Sequence, residues 1–208
     1  MALPTDTTSV TCLGEVGRPT FTITPTMAKS LGFLYYRFVE VAPPSPVKTL
    51  AAYPTNLGPL DTAALVAGGK AQAGGQDFRI MCDGVEIARW FGLTTAAFDT
   101  AVTNLWTVLD WKPAVTLTLG AVITLGGSPT TITFVNNAAN KAAIAKLPAS
   151  GFVKIVTAGN TEYFTYTGKN ATNLTLTGVK RQAKLSTNYA HAVNDVVTWI
   201  QHDSWFLY

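Results

Sequence analysis

Apolar residues in this chain recur at every second position in short runs, and nearly every run stops at a Gly, Pro, Asn or Asp. A period of two sends successive side chains to opposite faces of an extended backbone, so the pattern commits most of the chain to β-strands. The clearest case is the pair Asp77–Cys82 and Val85–Trp90 around Asp83-Gly84. Asp-Gly between alternating runs predicts a tight hairpin, because both central residues of a type I′ turn need positive φ. Further strands are predicted at Thr20–Thr24, Asn104–Trp111, Ala114–Leu119, Ile123–Leu125, Thr131–Val135, Phe152–Val156, Glu162–Tyr166, Leu174–Thr177 and Val196–Ile200. Leu31–Val41 is nearly continuous in apolar residues and ends at Pro43-Pro44-Ser45-Pro46, which predicts a strand buried on both faces. Gly168-Lys169-Asn170 and Gly178 are read as the turns that set strand register between Thr161 and Gln182.

Only two segments read as helices. Asp61 precedes Thr62–Ala67, and Gly68-Gly69 follows, giving an N-cap and a C-terminal glycine. Asn136 or Asn137 caps an alanine-rich stretch that places Ala143, Ile144 and Leu147 on one face before Pro148. The expectation is a mostly β protein, a β-sandwich of jelly-roll or concanavalin-like kind plus a second small β module, with two short helices. Residues 1–30 are read as an extended arm, 31–120 as the sandwich, 121–200 as the small module and 201–208 as an aromatic strand.

Charge is sparse. Of 208 residues 13% are charged and 48% are hydrophobic, against about 25% charged in average usage. Such a surface suits a subunit covered by neighbours. The net charge of +3 is spread singly except at Lys180-Arg181, so no basic stripe for nucleic acid is formed. Met1–Val10 has neither the basic start nor the apolar core of a signal peptide, and no run approaches the length of a membrane span. Production in a cytoplasm without membrane insertion is expected.

No residue pattern specifies catalysis or a cofactor. Gly68-Gly69-Lys70 is followed by Ala71 and comes after a helix, whereas a phosphate loop needs Ser or Thr there and opens one. His191 and His202 have Asp195 and Asp203 nearby but no nucleophile, and are read as hydrogen-bonded structural groups. Glu86 and Glu162 alternate with apolar neighbours and are placed on the outer faces of strands, paired with Arg89 or Lys169. Cys12 and Cys82 are read as buried thiols, their pairing left open, and no metal-ligand spacing is present. Asn170-Ala171-Thr172 and Asn173-Leu174-Thr175 are read as turn asparagines rather than glycosylation sites. Phe21, Ile23, Tyr163, Tyr166, Trp199, Trp205, Phe206 and Tyr208 are candidate interface residues, since aromatic side chains serve both protein contacts and stacking on a sugar.

Two resemblances carry the functional expectation. Leu60-Asp61-Thr62-Ala63, Gly69–Ala73, Asp77–Ile80, Asp83-Gly84, Arg89-Trp90 and Leu105–Leu109 resemble a concanavalin-like β-sandwich domain of unknown function found in bacterial surface and phage proteins. That family usually closes with an aromatic strand; here Trp205–Tyr208 is the candidate, which implies a second module inserted before it. Leu147–Gly151, Glu162–Lys169, Leu176–Arg181, Ala190-His191-Ala192 and Val196–Trp199 resemble a small β module recurrent in tailed-bacteriophage tail, baseplate and fibre proteins. The chain departs from that module in lacking glycine between Gln182 and Tyr189. The resemblance implies a non-enzymatic structural protein of the virion, in the tail, baseplate or a fibre attachment, whose partners are other copies of itself and other virion proteins. Alternatives are a head decoration protein and an adhesin for a host-surface glycan.

Overall fold

The computed structural model describes residues 32–41, 49–91, 98–183 and 186–208. Thr20–Thr24, Phe21, Ile23, Cys12 and the proposed arm lie outside these residues. The described chain is mostly β: fifteen strands in four antiparallel sheets, with two short helices.

Strands β1 (Tyr36–Val39), β3 (Arg79–Cys82), β4 (Val85–Glu86) and β15 (Ser204–Leu207) form one sheet in the order β1-β15-β3-β4. A three-stranded sheet of β2 (Leu50–Asn56), β6 (Leu105–Trp111) and β5 (Trp90–Phe91) lies against it. Phe78, Ile80, Leu105 and Phe206 fill the space between them, flanked by Cys82, Leu109 and Trp111. The predicted hairpin forms between β3 and β4, with φ of 52° at Asp83 and 86° at Gly84. After Glu86 the chain leaves for the other sheet, where Trp90 pairs with Trp106.

The remaining strands surround a separate core. β7 (Thr116–Thr118), β9 (Gly151–Thr157), β10 (Asn160–Tyr166), β13 (Lys180–Ala183) and β14 (Val196–Ile200) make a sheet ordered β13-β10-β9-β14-β7. Facing it is a sheet of β8 (Thr131–Thr133), β11 (Gly168–Asn170) and β12 (Thr175–Thr177). Val153, Ile155, Phe164, Tyr166 and Val197 from the larger sheet meet Ile132 and Leu176 from the smaller. Ala114–Leu119, grouped by sequence with residues 31–120, therefore contributes β7 to the sheet of β14.

Both helices end as their sequences predict. In α1 (Thr62–Ala67) the Asp61 carboxylate accepts from the Ala64 N–H at 2.9 Å. Gly69 takes φ 65° while its N–H and that of Lys70 return to the carbonyls of Val66 and Leu65, a Schellman closure. In α2 (Ala138–Lys146) Asn137 is the cap, accepting from the Asn140 N–H at 2.7 Å. Asn140 is itself buried and pins the helix to β7: its Oδ1 accepts from the Thr118 N–H, and its Nδ2 donates to the carbonyls of Thr118 and Val135.

Three expectations are corrected. Leu31–Val41 is not buried on both faces; its strand shrinks to Tyr36–Val39 at a sheet edge, with Leu34 78% exposed. The strand buried on both faces is β15, where Phe206 enters the core while Trp205 and Leu207 are covered on the other side by Phe33, Tyr36, Phe38 and Met81. Gly168-Lys169-Asn170 is strand β11 rather than a turn; the reversal falls at 171–174, with Asn170 Oδ1 accepting from the Asn173 N–H. From β11, Lys169 Nζ reaches the carbonyls of Ile144, Ala145 and Leu147, satisfying the open C-terminal end of α2. Ile123–Leu125 is no strand but makes one bridge, Ile123 to His191.

The two cores predict separable stability. Deleting Ser204–Tyr208 removes the strand between β1 and β3, and amide exchange should accelerate at Tyr36–Val39 and Arg79–Cys82 while Gly151–Tyr166 stays protected. Equal loss of protection in all three segments would contradict the separation.

Candidate functional site

The densest group of chemically capable side chains is centred on Glu162 in β10. Because Glu162 is in phase with Phe164 and Tyr166, alternation carries it to the same buried face, and its side chain is 0% exposed. A buried carboxylate is costly unless paired and fully hydrogen-bonded. Here Arg181 meets it as a fork, Nε to Oε1 at 2.9 Å and Nη2 to Oε2 at 2.8 Å. The Tyr189 N–H and His191 Nε2 add bonds of 2.9 and 3.0 Å to Oε2.

Arg181 can reach inward because β13 carries a bulge. Tyr163 pairs with Ala183 and Thr165 with Lys180, so three steps on β13 oppose two on β10, and Gln182 takes φ 56°. A bulge of this kind re-aims a side chain, here at a backbone cost of about 1–2 kcal/mol for a non-glycine residue in the left-handed region. Its remaining N–H groups serve the carbonyls of Thr124, Gly127 and Tyr189, which ties two loops to the ion pair. The network extends from His191 Nδ1 to Thr157 Oγ1 at 2.8 Å, and Thr157 donates to Asp195, which also accepts from the Ala192 N–H.

Burial raises the pKa of Glu162, but the Arg181, Tyr189 and His191 hydrogen bonds outweigh it, so the carboxyl titrates below its ordinary range. Every charge-bearing atom of Glu162 and Arg181 is thereby engaged within the fold. The arrangement holds loops; it does not present a nucleophile or a base to solvent. This corrects the placement of Glu162 on an outer face with Lys169 as partner. Glu86 is the exposed one, paired with Arg79 at 3.1 Å rather than Arg89.

A second group forms where β15 meets the β3–β4 hairpin. His202 Nδ1 lies 3.1 Å from Asp83 Oδ2, and Cys82 Sγ lies 3.8 Å from the same oxygen. Asp83 Oδ1 accepts from the Asp203 N–H at 3.0 Å, and Ser204 Oγ is 3.6 Å from Cys82 Sγ. Cys82 and His202 are buried, and this trio is the only set of metal-capable ligands within reach of one another among the described residues. Local spacing could not reveal it, since Ser204 and Cys82 are 122 positions apart.

The candidate interface residues are covered largely by the chain itself. Tyr166, Trp205 and Phe206 lie in cores, and Trp199 packs half-buried against one. Tyr166, Trp205 and Phe206 are therefore core residues of this chain rather than interface residues. Tyr163 sits between the two halves, its hydroxyl donating to Glu40 and its ring edge-on to Phe38 at 5.1 Å. Lys154 pairs with the same carboxylate. Tyr208 stacks between Phe78 and Tyr35, with centroids 5.8 and 5.9 Å away.

Among the described residues, one exposed apolar patch lies at one end of the outer face of the larger sheet. Val196 pairs with Val156 and Thr118, and Val156 with Thr161. Val196 is 52% and Val156 39% exposed, and none of these four positions carries a charge. Compared with protein-family models, curated proteins and solved structures, the chain matches none.

Substituting Glu162→Gln leaves Arg181 buried without its counter-charge, and urea unfolding should show a loss of about 3–5 kcal/mol. The folded carboxyl titrates low, so its contribution is complete above about pH 4.3 and is lost as pH falls through the lower folded value. The variant should lack that acid-dependent component; an unchanged pH profile would contradict the role of the ion pair.

Proposed function

We propose that the chain is a structural subunit of a tailed-bacteriophage particle, part of its tail, baseplate or fibre attachment, and that it acts by assembly. The observation that carries this reading is the partly exposed face of Val156, Val196, Thr118 and Thr161, β-branched and without charge. β-Branched side chains on a pleated surface pack readily against another sheet, and a contact desolvated there strands no ion. The larger sheet also ends in an edge at β13 that a neighbouring strand can extend, whereas the β7 edge is closed by Asn140 and Val135 on Thr118.

The use made of the ionisable groups supports the same reading. Glu162, Arg181 and His191 lock loops around a core, and Glu40 with Lys154 and Tyr163 joins the two halves. With these charges turned inward or toward the junction, the Val156 and Val196 end of the sheet keeps an apolar, hydroxyl-bearing surface for neighbours. Repetition of such modest contacts by symmetry gives a particle its cohesion. What points to a tailed phage as the assembly is the resemblance of Glu162–Lys169, Leu176–Arg181 and Ala190-His191-Ala192 to a phage tail module.

Val156→Lys combined with Val196→Lys places two charges on the face at positions already exposed. Thermal unfolding should shift by no more than about 1 kcal/mol in stability, while incorporation into purified particles is abolished, read by mass spectrometry. Normal incorporation of the folded double variant would overturn the reading.

A further inference from the structure

We propose that Cys82, Asp83 and His202 form a binding site for a borderline-soft divalent cation, of which zinc is the type, holding β15 to the β3–β4 hairpin. The three ligand atoms lie within 4.8 Å of one another. Around a tetrahedral ion with bonds of about 2.0–2.3 Å, neighbouring ligand atoms stand roughly 3.3–3.8 Å apart. The observed 3.1 Å from Nδ1 to Oδ2 and 3.8 Å from Sγ to Oδ2 are close to that geometry.

The surroundings are those of a ligand set. His202 Nε2 lies 2.7 Å from the Asp110 carbonyl, which can only accept, so Nε2 is the donor there and Nδ1 is the nitrogen facing Asp83, where an ion would replace the proton that the two now share. A backbone carbonyl fixing the far nitrogen is the usual outer-shell partner of a metal-bound histidine. The Trp111 indole meets the His202 ring edge-on, at 4.8 Å and 84°, and holds its plane. On Asp83 the Asp203 N–H meets Oδ1, and Oδ2 faces His202 Nδ1 and Cys82 Sγ. Ser204 Oγ beside Cys82 Sγ can donate to a thiolate.

Charge and access fit as well. Thiolate and carboxylate together neutralise a divalent ion, so the occupied site adds no net charge to a largely buried place. Binding displaces to solvent the thiol proton and the proton shared by Nδ1 and Oδ2, and the ion takes Sγ, Oδ2 and Nδ1, with water or Ser204 Oγ available as a fourth donor. The Asp83 side chain is 26% exposed, which gives the ion a way in. Sulfur with imidazole selects zinc or cobalt over magnesium or calcium, which need all-oxygen sites. The hairpin and β15 come from distant parts of the chain, so a shared ion would staple them, adding to the ladder from Cys82–Ser204 to Arg79–Leu207.

The test uses the full chain, freed of metal by a chelator and titrated with Co²⁺ and then Zn²⁺. One equivalent of Co²⁺ should give a thiolate-to-cobalt charge-transfer band with the visible bands of tetrahedral cobalt, both bleached by Zn²⁺, and Zn²⁺ should raise the thermal midpoint. Cys82→Ala should abolish the charge-transfer band, and Asp83→Asn, which keeps the turn and the bond from Asp203, should weaken binding at least about tenfold. A wild-type cobalt spectrum without a thiolate band would overturn the proposal whether or not the variants fold. So would equal Zn²⁺ affinity in the wild type and a folded Cys82→Ala chain.

Discussion

β15 supplies the middle of a sheet whose other strands come from residues 36–86, pairing with β1 on one side and β3 on the other. A strand in that position must be hydrogen-bonded along both edges and apolar on both faces. Ser204–Leu207 meets both demands, Phe206 entering the inner core and Trp205 and Leu207 the outer cluster. Everything between β6 and β15 must therefore leave and return to nearly the same place. Gln201 and Lys112, 89 positions apart, mark the crossing: each bonds the other's backbone or side chain at 2.8 Å. Residues 115–197 build their own core inside that excursion.

The two halves meet through a few polar and aromatic contacts rather than a common core. Glu40, after β1, receives Lys154 and the Tyr163 hydroxyl from the larger sheet, while Phe38 lies edge-on both to Tyr163 and to Trp205. Burial drives the Tyr163 phenol pKa upward, and the bond to Glu40 and its charge add to that, so the hydroxyl stays a donor. This junction covers one part of the sheet's outer face and leaves the Val156 and Val196 end open. The proposed assembly role rests on that division.

Local structure was legible because its determinants are neighbours in sequence. Asp83-Gly84, Asp61 with Gly69, and Asn137 each set a turn or a cap through atoms a few residues apart. The phase of Glu162 with Phe164 and Tyr166 was also present in the sequence and predicts its inward face, once Arg181 is recognised as a partner that can neutralise it. The bulge at Gln182 was not legible, because positive φ there is taken by a residue with no preference for it. Nor was the gathering of Cys82, Asp83 and His202, which exists only after β15 has paired with β3. The apolar run at Leu31–Val41 misled because hydrophobicity reports burial without saying which strand takes the central place; β15, shorter and aromatic, takes it.

In the proposed role, Glu162, Arg181 and His191 hold the fold and the β-branched face of Val156 and Val196 holds neighbours. Imaging the assembled particle at side-chain resolution tests that assignment most directly. Val156 and Val196 should be covered by a neighbouring subunit, with Glu162 still enclosed by Arg181 and His191. A particle in which this chain presents that face to solvent, or particles that lack the chain, would contradict it.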